Sequence, residues 1–427
     1  MKKKHLALYS LTIVTFLSLI LIFNFDNIRQ YLRDNLSSNA KIIIKRILLG
    51  EKYLNEVNFY RKINYNQKII PETQFVKINF QKILLNELLE FSDTHYNKAV
   101  LGNKVITKKF FIDTSEERLI ISNVKGEIYF SKFADIGNLS KIDSNLKSYG
   151  IYDVLDIAVA NNYLFVSSTF KKNENDECTF FQILYSRIDY SKLEFKDFFK
   201  TDNCLKNTLG GRIVKFDENL TKGILVTLGA SGTEGFLAQK DDSVYGKILF
   251  FNIETKKYKI FSKGHRNPQG LIIDGENILS TEHGAYGGDE INKIIFQKNY
   301  GFPVVSYGDS YEFKNNYDKD LDYRFKKDHK KFGFKEPIFS FVPSIGISEL
   351  VRIPNNFTKY WQNNYFVSSL NGRSIFRIKM DENFEKVIYL EKIPIGERIR
   401  DIKFLPKINS FILALEETGS LGVIKIE

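Results

Sequence analysis

The chain has 427 residues, of which 43% are hydrophobic and 14% aromatic, enough to bury a large core and to exclude a disordered polypeptide. Its net charge is +11, of which +6 falls in the first 50 residues, where eight Lys and Arg meet two Asp and Glu. The +5 that remains is dilute and forms no basic stripe interleaved with stacking aromatics, which argues against a nucleic-acid partner.

Met1 to His5 read MKKKH, and Leu6 to Phe23 form an apolar run of 18 residues broken only by Tyr, Ser and Thr, long enough for a membrane-spanning helix. The basic flank orients its start toward the cytoplasm. The first small-residue cleavage candidate, Ser38-Asn39-Ala40, lies beyond Asp26, Arg29, Arg33 and Asp34, too far from the apolar run for a signal peptidase site. Residues 1–25 therefore read as an uncleaved transmembrane anchor, with a cleaved signal peptide as the alternative. No Cys follows the run, which excludes a lipoprotein. Either reading exports the domain, and the first places it in the periplasm, held to a bacterial inner membrane by a single pass.

Residues 26–72 contain Ile42, Ile43, Ile44, Ile47, Leu48 and Leu49 with Lys41, Lys45 and Arg46 between them, the spacing of an amphipathic helix in a partly helical connector. From residue 73 to 427 the pattern changes to short strand-like runs between polar or glycine turns. Examples are KKFFID, RLIISN, GEIYFSKF, YLFVSSTF, FFQILYSRI, GGRIVKF, GILVTLG, KILFFNI, NYFVSSL, SIFRIKM, FILALE and GVIKIE. Many short strands with turn punctuation predict an all-β sandwich, barrel or propeller, and their number and length favour the propeller. No strict repeat fixes a blade count. Cys178 and Cys204 are the only cysteines, too far apart for a CxxC pair. An exported domain would let them form a disulfide; two unpaired core thiols are the alternative.

The segment from Gly264 to Gly308 packs Gly, Asn, Asp, Glu and two His into loops between apolar runs, a composition typical of sites. Its motifs GHRNPQGL, EHG followed by GGDEIN, and NYGFP resemble those of the soluble PQQ-dependent glucose dehydrogenases and aldose sugar (glucose/sorbosone) dehydrogenases. The resemblance runs from about Lys108 to Glu427. It implies a six-bladed β-propeller with PQQ and Ca²⁺ over its central channel, a sugar as the small-molecule partner and a respiratory electron acceptor. It further implies that Arg266 and Asn267 address the quinone and that Arg398 and Arg400, in GERIRDI, hold the cofactor's carboxylates. Residues two apart on a strand share a face, so these two arginines can meet one anion. The carbonyls of Gly284 and Ala285 would hold a catalytic Ca²⁺, while Asp289, Glu290 and the Tyr300 carbonyl would form a second calcium site of the oxygen-rich kind that Ca²⁺ needs.

The same comparison exposes departures at the chemistry. The family's catalytic His falls on Thr208 in KNTLGGRIVKF, and a threonine is no base near neutral pH. The acidic residue supporting that His falls on Ala230, a cofactor-side Gln on Ile151, and a quinone-contacting Lys on Asn371. His265 and His283 remain as substitutes, each with packing as the simpler role, and His329 in KKDHKKFGFK reads as part of a solvated loop. Ser344 and Ser348 have no base or acid spaced for a triad. Two functions follow as expectations: PQQ- and Ca²⁺-dependent oxidation of an aldose to its lactone, or a catalytically impaired propeller serving as a sugar-binding or protein-interaction module.

Overall fold

Successive short strands pair with their sequence neighbours, so each run of four folds into an antiparallel meander, and six such sheets form. The computed structural model describes residues 76–88, 108–309 and 325–427. The expected membrane anchor and connector lie outside the described residues. Among the described residues no helix is long and apolar enough to cross a membrane.

β1 (Ile78–Leu84) comes first. The first blade contains β2 (Phe110–Ser115), β3 (Arg118–Asn123), β4 (Ile128–Lys132) and β5 (Asp135–Ser144). The second contains β6 (Ile151–Ala160), β7 (Tyr163–Phe170), β8 (Phe180–Arg187) and β10 (Lys196–Lys200), while the short β9 (Lys192–Leu193) between β8 and β10 adds in parallel to β5 as a fifth strand of the first sheet. The third is β11 (Gly210–Lys215), β12 (Gly223–Leu228), β13 (Lys247–Asn252) and β14 (Tyr258–Lys263). The fourth is β15 (Pro268–Asp274), β16 (Asn277–Glu282), β17 (Asp289–Ile294) and β18 (Phe339–Phe341). The fifth is β19 (Ile347–Arg352), β20 (Asn364–Ser369), β21 (Ser374–Met380) and β22 (Val387–Pro394). The sixth is built from β23 (Ile399–Leu405), β24 (Ser410–Leu415) and β25 (Ser420–Ile426), and its fourth strand is β1, paired from Ile78 with Ile426 to Leu84 with Ser420. The two ends of the propeller are thereby stitched into one sheet. The first strands lie side by side in the closed order β2, β6, β11, β15, β19, β23 and back to β2, which makes the fold a six-bladed β-propeller.

Six separate hydrophobic cores hold it together, one between each neighbouring pair of blades. β12 shows how the sequence specifies this. Ile224, Val226 and Leu228 face the second blade while Leu225 faces the fourth, because successive side chains on a strand point to opposite faces. A slip of one residue would exchange the two cores, so the register is firmly set. Between the last two blades, Phe357, Phe366, Phe411 and Trp361 pack edge to face in three pairs with centroids 4.8 to 5.7 Å apart, and Trp361 lies tilted against Phe357 at 6.2 Å. Each fully buried aromatic contributes about 1.5–3 kcal/mol.

Five of the six inner strands carry a register shift near their first residues: Ile151/Asp153, Gly210/Ile213, Pro268/Gly270, Ile347/Leu350 and Ile399/Asp401. A bulge frees a residue from the ladder and re-aims its side chain, which is why bulges collect at rims and sites. Here the released residues include Arg212, Gln269, Glu349 and Arg400. Gly211, in the Gly210/Ile213 bulge, has φ +96°, and a Cβ there would sit 2.5 Å from Leu155. Only glycine permits that approach.

Candidate functional site

In an antiparallel meander the start of the first strand, the end of the second and the start of the third share one end of the sheet. In the fourth blade Pro268 pairs with Glu282 and Glu282 with Glu290. Arg266 and Asn267, just before β15, therefore stand beside the loop 283–288 and the start of β17. The same rule puts Thr208, Ala230, Ile151, Asn371, Arg398 and Arg400 at the corresponding ends of their own blades. One mouth of the channel collects nearly every residue expected to matter.

Beneath this mouth, Arg212 touches every blade. Its Nη1 lies 2.8 Å from Asp156, 3.4 Å from Glu349 and 3.4 Å from Asp401; Nη2 donates to the Arg400 carbonyl at 2.9 Å and Nε to the Gln269 carbonyl. Its guanidinium also lies 5.1 Å from the Phe111 ring centroid. Guanidinium offers five donors in a fixed fork, and here they tie carboxylates and carbonyls from separate blades into one buried knot. Lys403 adds a second cation, 3.8 Å from Asp401. Burial raises the carboxyl groups of Asp113 and Glu349, as fits four acids sharing two cations.

At the mouth, hydrogen bonds run in one direction. Arg400 Nη1 donates to Gln269 Oε1 at 3.2 Å, Gln269 Nε2 to Asn267 Oδ1 at 2.8 Å, and Asn267 Nδ2 to His283 Nδ1 at 3.4 Å; His283 Nε2 donates to the Ile347 carbonyl. The polarity is forced, because a guanidinium only donates and a backbone carbonyl only accepts. His283 is accordingly neutral with its proton on Nε2. Burial lowers its basicity, and Arg266 and Arg400 add to that effect against the opposing pull of Asp289. Gly210 N–H also donates to Asn267 Oδ1 at 3.2 Å.

The expected arginine pair does share a face. Arg398 Nε binds Glu416 Oε1 at 2.6 Å and Arg400 Nε binds Glu416 Oε2 at 2.8 Å. Burial acts to raise the Glu416 carboxyl, but Arg400 and Arg398 overcome it and hold it at about 2. Two cations against one anion leave a net positive charge at the rim. Arg266 Nη1 donates to the carbonyls of His283 at 3.0 Å and Gly284 at 2.6 Å, so a third guanidinium joins the same mouth. The donor set of Arg266, Asn267, Arg398 and Arg400 suits a flat anion bearing several carboxylates.

A small cavity beside it is lined by Arg266, Glu282, His283, Glu290, Tyr300 and His329, among others. Glu282 and Glu290 are both buried there. Burial, and next the Glu282 carboxylate, push Glu290 well above the usual carboxylate range. Facing buried acids fit a cation. Glu282 also accepts from His265 Nδ1 at 3.0 Å and from the Arg266 N–H. Asp289 is used differently. Its Oδ1 accepts from Gly284 N at 3.1 Å and from Ser344 Oγ, and its Oδ2 from Ile345 N at 3.0 Å and Ile347 N at 2.9 Å. Four donors make it the organiser of the Gly284 loop. Among the described residues no group of three or more His, Cys, Asp or Glu side chains forms a metal cage, so an ion here needs main-chain oxygens as well. Tyr300 stacks on His265 with centroids 4.7 Å apart, and its hydroxyl donates to the Lys293 carbonyl.

Thr208 is occupied elsewhere: its Oγ1 donates to the Thr179 carbonyl at 3.0 Å and pairs with the Thr179 hydroxyl at 3.0 Å. The Cys178–Cys204 disulfide, with Cα atoms 5.5 Å apart, staples these two loops together. Ala230 is buried, its N–H donating to the Arg266 carbonyl at 2.8 Å. Ile151 packs partly buried between the first two blades, and Asn371 is exposed in the turn after β20. His329 corrects the sequence reading. It is buried, 3.5 Å from Glu290 and tilted against the Tyr307 ring with centroids 5.1 Å apart, because the lysine-rich loop turns its charges outward and this one ring inward. Sequence reasoning also missed Arg212, Gln269, Glu282 and Glu416 as site residues, although each lay inside or beside a quoted motif.

Comparison with known proteins gives the family and supports the fold. The family model described as Glucose / Sorbosone dehydrogenase matches residues 111–423. The chain belongs to the glucose/sorbosone dehydrogenase family. It is 29% identical over 263 residues to the aldose sugar dehydrogenase YliI of Escherichia coli, covering 56% of this chain and 66% of that one. It is 26% identical over 249 residues to the quinoprotein glucose dehydrogenase B of Acinetobacter calcoaceticus, covering 44% and 52%. The chain thus matches only 66% and 52% of the length of these two curated relatives. Among solved structures, the apo soluble aldose sugar dehydrogenase of Escherichia coli superposes with a TM-score of 0.63 at 21% identity, covering 82% of this chain and 99% of that one. The PQQ-bound aldose sugar dehydrogenase of Streptomyces coelicolor gives 0.57 at 16%, covering 82% and 99%. At these identities the structural likeness speaks for the fold.

Proposed function

We propose that the protein is a PQQ- and Ca²⁺-dependent aldose dehydrogenase that oxidises a sugar to its lactone. The observation that carries this reading is the convergence of Arg266, Asn267 and the Arg398–Arg400 pair on one channel mouth, next to the Glu282–Glu290 cavity. When bound, PQQ would accept the two electrons released at the anomeric carbon. Arg398 and Arg400 would hold its carboxylates, Arg266 and Asn267 would orient its carbonyl edge, and the buried inter-blade cores exclude water from below. Glu290 and Glu282, with the Tyr300 carbonyl, would hold a structural Ca²⁺. A catalytic Ca²⁺ on the Gly284 and Ala285 carbonyls would have to share the Gly284 oxygen with the Arg266 guanidinium. In this reading the apolar run of residues 6–23 anchors the domain to the bacterial inner membrane, in a periplasm whose redox state suits the disulfide, and a respiratory acceptor takes the electrons.

One observation favours a second reading, a catalytically impaired propeller that binds sugar or protein. Thr208 stands where the family has its base, and its hydroxyl is committed to Thr179. Loss of a general base costs about 10²- to 10⁴-fold in rate. Reconstitution of the full chain with PQQ and Ca²⁺, followed by dye reduction over a panel of aldoses, separates the two. Turnover within about tenfold of ordinary enzymes, roughly 1–10³ s⁻¹, supports the dehydrogenase. Tight quinone binding without turnover supports the impaired form.

A further inference from the structure

We propose that Gln269 is a positioning residue of the site, holding the Arg400 guanidinium with its side-chain oxygen and the Asn267 amide with its nitrogen. This rests on the reading of the mouth as a quinone site. Three observations carry it. First, Gln269 is the side chain released by the Pro268/Gly270 bulge, and a bulge re-aims the residue it frees. Second, it is the middle link of a chain whose polarity is fixed at both ends, so its amide has one usable orientation: Oε1 toward Arg400 at 3.2 Å and Nε2 toward Asn267 at 2.8 Å. Third, its main-chain carbonyl and that of Arg400 are bound by the same buried guanidinium, Arg212, through Nε and Nη2. Two strands from different blades are thus fixed at one height by Arg212 below and joined by Gln269 above.

The consequence is coupling between two arms expected to contact different parts of one ligand. Arg400 is already tethered through Nε to Glu416, which leaves its Nη edge to be aimed, and Gln269 is the neutral acceptor that aims it. Without Gln269, that edge and the Asn267 amide would each rotate independently, and a ligand would have to order them on binding.

The test measures the dissociation constant of PQQ for the Ca²⁺-loaded full chain, with thermal melting alongside. Gln269→Leu is expected to melt like the wild type and to bind PQQ at least about tenfold more weakly, the scale of one lost charge-assisted hydrogen bond. In an Arg400→Lys background the same substitution should change affinity much less, because residues acting through one another are non-additive. A Gln269→Leu protein with wild-type affinity, or losses that simply add, overturns the positioning role and leaves the quinone reading intact. Lower melting with unchanged affinity of the folded fraction does the same. A wild-type chain that binds no PQQ removes the reading and this inference with it. Should the Leu variant not fold, Gln269→Met keeps the unbranched shape and is read by the same criteria.

Discussion

Arg400 Nε and Glu416 Oε2 lie 2.8 Å apart in the interior of the channel rim, and Glu416 is wholly buried. The carboxylate therefore exists to arrange arginines and not to meet solvent. Because Arg398 takes its other oxygen, the pair is preorganised before any ligand arrives.

That arrangement makes a pH prediction. The folded carboxyl of Glu416 titrates at about 2 against an ordinary 4.5, so the unfolded chain binds the proton more readily than the folded one. Stability from this group is fully present above about pH 4.5 and is lost as pH falls toward 2. Urea unfolding between pH 6 and 3 should show this decline, and Glu416→Gln should flatten it. An unchanged slope would place the acid sensitivity elsewhere.

Arg212 should be the costliest single charge to remove. Arg212→Met leaves Asp156, Glu349 and Asp401 buried around an uncharged side chain, and breaking a buried ion pair from one side costs about 3–5 kcal/mol. Chemical denaturation of the variant checks the size of the loss. A loss below about 1 kcal/mol, the range of exposed pairs, would mean that the knot contributes little.

The Glu282–Glu290 cavity predicts a metal-dependent stability. Ca²⁺ at about 100 times its dissociation constant should stabilise the wild type by about 2.7 kcal/mol, and a chelator should reverse it. Glu290→Gln should abolish the difference while melting near the chelated wild type. Equal melting of wild type with and without chelator would count against an ion there.

Reducing the Cys178–Cys204 disulfide opens a loop with a sequence separation of 26, which the chain-entropy model values at about 3–4 kcal/mol. Unfolding of oxidised and reduced protein measures it. The loop carrying Thr208 should become protease-sensitive first.

The sequence announced the mouth better than the channel. β12, β13 and β24 read as apolar runs because blades cover both of their faces, and GHRNPQGL and GERIRDI marked Arg266, Asn267, Arg398 and Arg400. The inner strands β6, β15, β19 and β23 were harder to see. They carry Asp156, Gln269, Glu349 and Asp401 toward the axis, and their bulges break the period of two. The outer strand β5 alternates with exposed polar residues and resembles a loop, and the outer strand β22 leaves Ile388 and Leu390 exposed, so its pattern does not mark a buried face. Arg212 looked like an ordinary strand residue because its partners come from blades distant in sequence. His329 looked solvated because lysines surround it.

The most direct test of the account is equilibrium titration of the Ca²⁺-loaded full chain with PQQ, comparing wild type with the Arg398→Ala, Arg400→Ala double variant. The account predicts saturable binding of one quinone per chain that the double variant loses while still folding cooperatively. Equal affinity in the two proteins, or no binding by the wild type, would contradict it.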